Sequence, residues 1–332
     1  TGDSNVALGY AAGSSLTSGY SNILIGRSAG GTGTDLHSAV IIGHYAGDAI
    51  DSNNSQGSVL IGFEAGSALT DGVNTFIGYQ AGLATTTGAY NTALGYASFD
   101  SATQLSKNTA FGYNTLSSMS GSAGDTLNTA VGYIAGAAIT TGTHNTVLGA
   151  NSGNLINTGQ YNTIMGAETA ISMQGGGYNS IIGRRAGYGL TSGTYNAALG
   201  TFALYSNQTG QGSVGIGSHA GYSFVGSGGI FMGYEAGYGV ASGDVLFIGY
   251  QSGKRARGTG NTGLGYRALY GADSTAANNT GTYNTAIGQY ALNWFSKTIG
   301  STAVGSEAGY YTTGSYNTFM GYKAGHGGTT SA

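Results

Sequence analysis

One short phrase returns along the whole chain, and that recurrence restricts the fold more than any single residue does. Taking the glycine of Asn91-Thr92-Ala93-Leu94-Gly95-Tyr96 as an anchor, the phrase occurs nineteen times between Gly9 and Gly321, at spacings of 16 to 23 residues and most often 17. A period of this length is the signature of a solenoid, in which a turn cannot bury its own apolar face and relies on the turns above and below. No linker, charge run or shift of composition interrupts the array, so residues 1–332 read as one domain of about nineteen turns.

Composition enters as a set of exclusions. Glycine supplies 65 of 332 residues and charged residues only 7%, values that in a non-repetitive chain point to disorder; here the apolar residues recur in register and override that reading. Proline is absent, as suits a backbone whose amides are needed by a ladder, and collagen-like and polyproline structures are excluded. Without cysteine there is no disulfide framework, thiolate metal site or cysteine nucleophile. No stretch is long and apolar enough for a membrane helix, and a net charge of -3 with scattered Lys and Arg gives no footprint for nucleic acid, so neither a membrane span nor a nucleic-acid partner is expected.

Positions within a turn are counted from the anchor. Position -1 is apolar in all nineteen turns, and position -2 is Ala, Val, Ile, Leu, Phe or Gly. Adjacent residues of an extended segment point to opposite faces, so this short strand reads as buried on both sides. Position -3 is Thr in ten turns, a residue that favours strands, and position -4 is Asn in thirteen, which stacked at one strand spacing would form an amide ladder. Ala-Gly follows at +3 and +4 in eleven turns, and a second glycine turn such as Thr87-Gly88 precedes the next anchor. A helical repeat would need apolar residues three and four apart and few glycines. The expected fold is therefore all-β, a parallel β-solenoid or β-roll of about 19 turns and roughly 90 Å at ordinary strand spacing.

A lone solenoid has one interior, so a second apolar face calls for a partner. Association of three copies about a shared axis satisfies it, and the small residues at -2, with Ala in seven turns and Gly in two, suit the close approach of strands at that axis. On the same reading, Leu94→Asp and Ile182→Asp place a charge in the core and break the array locally.

The phrase Asn-Thr-Ala-Leu-Gly-Tyr followed by Ala-Gly resembles the head repeats of trimeric autotransporter adhesins and related repeats of bacteriophage tail fibres, over essentially residues 5–325. The resemblance implies a left-handed roll, a homotrimer, and a role as a stalk or head that touches host surfaces from a cell surface or virion.

No residue set carries catalysis. The five histidines share no position in the turn, and Glu64, Glu235 and Glu307, each at +2, lie on turns far apart and form no glycosidase dyad. No enzyme activity and no cofactor are expected. Tyrosines at +1, such as Tyr79, Tyr96, Tyr113 and Tyr133, read first as a stacking ladder and second as a surface for sugars. The best candidate for surface contact is the longest insertion, Tyr270 to Thr280, with Trp294 and Phe295 in the next turn; Lys254, Arg255 and Arg257 are the densest positive charge and a candidate for anionic glycan. Sequons occur at Asn53, Asn207 and Asn278.

The function expected is a structural or adhesive extracellular fibre segment, the shaft or head of an adhesin or tail fibre. Two alternatives stand beside it. Bare strand edges at the ends of such an array would stack head to tail into a self-assembling filament, and the threonines at -3 would give an ice-binding stripe.

Overall fold

The computed structural model describes residues 2–51, 53–241, 243–271 and 279–327, together with the backbone but not the side chain of Asn53. The middle of the long insertion and the sequon at Asn278 lie outside the described residues. The chain forms two compact units, Thr1–Ile164 with Met173–Gly175, and Met165–Ser172 with Gly176–Ala332.

The first unit carries β1 (Val6–Leu8), β2 (Ile23–Ile25), β3 (Val40–Ile42), β4 (Val59–Ile61), β5 (Thr75–Ile77), β6 (Thr92–Leu94), β7 (Leu105–Ser106), β8 (Thr109–Phe111), β9 (Gly124–Asp125), β10 (Thr129–Val131) and β11 (Thr146–Leu148). Next comes β12 (Thr163–Met165), and the second unit continues with β13 (Ser180–Ile182), β14 (Ala197–Leu199), β15 (Val214–Ile216), β16 (Ile230–Met232), β17 (Leu246–Ile248), β18 (Thr262–Leu264), β19 (Thr285–Ile287), β20 (Thr302–Val304) and β21 (Thr318–Met320). Apart from β7 and β9, which pair with each other, these are the three-residue strands that end just before each anchor glycine. Within each unit they stack in parallel and in the register of the repeat: Thr92, Ala93 and Leu94 face Thr109, Ala110 and Phe111, and Ala197, Ala198 and Leu199 face Val214, Gly215 and Ile216. The protein is thus an all-β parallel β-solenoid.

Of the two adjacent apolar positions, -2 points inward and -1 points outward. Ala93, Ala130, Ile164, Ile181 and Phe247 are buried, whereas Leu94 is 38% exposed and Ile182 37%. This corrects the two-sided burial expected from the sequence: no residue at -1 is buried in the chain, and the small residues at -2 line the interior of the turn. Leu94→Asp and Ile182→Asp therefore put a charge at a half-open surface, and the single chain has no reason to break there.

The reason -2 is so often small lies across the interior. Inward side chains come from -2, +3 and +7, with Ile50, Leu69, Ile139, Ile156 and Leu190 at +7, and each fully buried aliphatic chain contributes about 1.5–3 kcal/mol. Where +4 is glycine, -2 is free to be large: a methyl on Gly82 would meet the Phe76 ring at 2.4 Å, and one on Gly253 would meet Phe247 at 2.2 Å. Where +4 is large, as at Phe99, Leu116, Leu204 and Leu292, the strand position beside it shrinks to Ala93, Ala110, Gly215 and Ala286. A methyl on Gly215 would meet Leu204 at 2.8 Å. The interior keeps its volume while its composition alternates.

The anchor itself is glycine for two reasons. Its φ lies between 119° and 143° along the array, outside the reach of other residues, and a methyl on Gly95 would meet the Gly112 carbonyl oxygen at 2.2 Å. Position +2 is held left-handed in all nineteen turns, with φ from 47° to 59° and residues as varied as Ile134, Arg185 and Phe202. Its N–H donates to the +1 carbonyl of the preceding turn, as from Ala97 to Tyr79 at 2.9 Å, and these bonds offset the strain.

Candidate functional site

The outward face of the strand ladder is the most unusual surface of the molecule. Alternation places -3 and -1 on it, and each unit carries an apolar column at -1: Leu94, Phe111 and Leu148 in the first unit, and Ile182, Leu199, Met232, Leu264 and Ile287 in the second, are all exposed by more than a third. Beside it runs the threonine column, of which Thr92, Thr109, Thr129 and Thr146 are exposed. Isolated surface Leu or Ile residues are ordinary, but a contiguous column is not, because soluble monomers rarely expose apolar patches beyond a few hundred Å².

Tyrosines at +1 on successive turns stack as the sequence suggests. Phe63, Tyr79, Tyr96, Tyr113 and Tyr133 follow one another at 4.9–5.3 Å between ring centroids with planes within 5–15°, and Tyr234, Tyr250 and Tyr266 at 5.2–5.3 Å with planes within 7–19°. Stacking occupies the ring faces, so these runs present ring edges and hydroxyls rather than open platforms for a sugar. A second ladder, at +5, joins Tyr188, Tyr205, Tyr222 and Tyr238 at 4.8–5.2 Å. Its sequence signal was available, since these tyrosines recur with the same spacings of 17, 17 and 16 as the anchors. Burial and the neighbouring Tyr205 and Tyr238 push the Tyr222 hydroxyl above its ordinary value.

The asparagines at -4 form the amide ladder. The Asn91 amide donates to Asn74 Oδ1 at 3.1 Å, Asn108 to Asn91 at 3.1 Å and Asn145 to Asn128 at 3.1 Å; in the second unit Asn196 donates to Asn179 at 3.1 Å. Each is buried, and each oxygen also takes the next asparagine's backbone N–H, as from Asn91 to Asn74 at 3.0 Å, which satisfies the buried polar groups without water.

The carboxylates at +2 find partners on the next turn. Gln80 donates to Glu64 at 2.8 Å, Gln251 and Lys254 donate to Glu235 at 2.7 and 2.5 Å, and Lys323 lies 3.6 Å from Glu307. Burial works to raise the Glu235 carboxyl, but the hydrogen bonds from Lys254 and Gln251 and the Lys254 charge outweigh it and hold it below its ordinary value. Among the described residues, no three His, Asp or Glu side chains gather into a metal-binding group, and no helix is long and apolar enough to cross a membrane.

The residues singled out for surface contact occupy adjacent turns. The Gly271 N–H donates to the Lys254 carbonyl at 2.9 Å, and the Trp294 N–H to the Tyr270 carbonyl at 2.8 Å. Trp294 is 43% exposed and lies 6.1 Å from the Tyr311 ring, while Arg267 sits over Tyr270 at 5.2 Å. Phe295 departs from the expectation: it is 0% exposed and fills the interior at +7, the position of Ile139 and Ile156 in other turns. Of the three cations, Lys254 is paired with Glu235; Arg255 and Arg257 are half-buried, and their backbone N–H groups donate to the Tyr238 and Asn279 carbonyls at 2.7 and 2.8 Å. The Asn207 sequon is buried, with its side-chain oxygen accepting the Gly210 N–H at 3.0 Å.

Comparison with protein-family models, with curated proteins and with solved structures finds no match to this chain in any of the three.

Proposed function

We propose that the chain is a structural or adhesive segment of an extracellular fibre, at a cell surface or on a virion, that self-associates as a homotrimer through the outward face of its strand ladder. The observation that carries this reading is the column at -1, apolar in all nineteen turns and buried in none. Solvent alone gives no reason to keep Leu, Ile, Val, Met or Phe at every repeat of an exposed position. A narrow column is covered from two sides by threefold closure, which a face-to-face pair does not achieve. Rigid turns, ladders that satisfy their own polar groups and shallow surfaces suit action by shape and repetition. In this reading Tyr270, Trp294, Lys254, Arg255 and Arg257 are the surface contacts, and anionic host glycan is the ligand class.

Electron cryomicroscopy of the purified chain tests the assembly. Particles with three copies in cross-section support it; single-chain particles at all concentrations overturn it, and continuous filaments with one chain in cross-section replace it with the head-to-tail subunit. Ice binding is the second reading, favoured by the exposed Thr92, Thr109, Thr129 and Thr146; bulky Leu94 and Phe111 share that face and spoil its flatness. Absence of thermal hysteresis removes it.

A further inference from the structure

The stacked tyrosines have a chemistry that neither shape nor adhesion uses. Tyr188, Tyr205, Tyr222 and Tyr238 lie on successive turns with ring centroids 5.0, 4.8 and 5.2 Å apart and planes within 14°, 3° and 18°. All four are half-buried, so their outer edges meet solvent while their faces meet each other. The backbone holds the spacing: the Gly189 N–H donates to the Tyr205 carbonyl at 2.8 Å, and the Ser206 N–H to the Tyr222 carbonyl at 3.0 Å. With no cysteine in the chain, no thiol competes for an oxidant.

The geometry points to a modification site: these tyrosines are positioned for oxidative coupling to dityrosine between successive turns, by a haem peroxidase acting with hydrogen peroxide. Each phenol gives one electron and its hydroxyl proton to the peroxidase, leaving two phenoxyl radicals. The radicals join through one ortho carbon of each ring, a bond that forms across the facing π surfaces. Each ring carbon then loses its hydrogen as a proton, and both hydroxyls are regenerated as the rings become aromatic again. Overall two hydrogens leave the pair and one hydrogen peroxide becomes two waters. The product is a covalent staple from turn to turn. The same molecule holds an internal control in Tyr266 and Tyr290, 5.2 Å apart but edge to face at 81°, an arrangement that aims a ring edge at the face instead of bringing two faces together.

The full chain is treated with peroxidase and hydrogen peroxide, dityrosine is read by its fluorescence, and linked peptides are mapped by mass spectrometry on the fraction that remains a single chain under denaturing conditions. Links between Tyr188 and Tyr205, Tyr205 and Tyr222, and Tyr222 and Tyr238 are expected. Replacement of Tyr205 and Tyr222 together by Phe, which keeps the rings stacked, should abolish these links and leave those among Tyr79, Tyr96, Tyr113 and Tyr133. Equal yield at Tyr266 and Tyr290, or a single-chain fraction free of these links while dityrosine forms only in covalently joined chains, would overturn the proposal.

Discussion

Gly95 has neither the backbone conformation nor the space for a side chain, with φ at 137° and the Gly112 carbonyl 2.2 Å from where a methyl would stand. Gly95→Ala should therefore cost about 1–3 kcal/mol or more, read by chemical denaturation, and an unchanged midpoint would contradict the backbone described. Position +2 makes the opposite prediction. Ile134 is a β-branched residue at φ 56°, a conformation that costs L-residues about 1–2 kcal/mol, so Ile134→Asn should raise the melting temperature. Glu235 adds a pH dependence. Its folded value lies below the ordinary one, so its bonds to Lys254 and Gln251 stabilise the fold above the unfolded carboxyl's value of about 4.3, and that contribution disappears as pH falls through the lower folded value. Glu235→Gln should lower stability at neutral pH, and the difference from the parent should shrink as the pH is lowered into the acid range.

At the scale of the turn, the exchange of volume between -2 and +4 is the central packing rule. Phe247→Ala should cost about 3–5 kcal/mol through the cavity it leaves. Gly253→Leu alone should also destabilise, because Phe247 occupies the space, yet the two together should recover much of the loss, since Ala286 with Leu292 is the same arrangement elsewhere in the array. Strict additivity in that cycle would refute the compensation. The same rule explains what the sequence could and could not show. The period, the anchors and the amide ladder of Asn74, Asn91 and Asn108 are legible because one residue type repeats. The inward face was not, because alternation says only that -2 and -1 point apart, and both are apolar. The usable cue is variance: -2 swings from Gly215 to Phe231 in step with its neighbour across the interior, while -1 stays aliphatic or aromatic whatever lies inside. The left-handed residues at +2 left no such trace, because the bonds that fix them are made by the backbone and Ala97, Arg185 and Phe202 serve alike.

At the scale of the whole molecule, stability in a solenoid is a sum over neighbouring turns, and the surface that repeats with them is the one selection can act on cumulatively. The contact residues were only partly legible for a related reason. Trp294 and Phe295 are adjacent in sequence, but the turn sends one to solvent and the other to the interior position that Ile139 fills elsewhere. The outward apolar column is the feature on which the functional account rests, and Leu94→Asp with Ile182→Asp addresses it in both units. Sedimentation equilibrium of the parent chain and this double variant, with circular dichroism of each, is the most direct test. Three times the chain mass is expected for the parent, and a single-chain mass with an unchanged β spectrum for the variant. A parent that remains a single chain at high concentration, or a variant that keeps the parent's mass, would contradict assembly through the column.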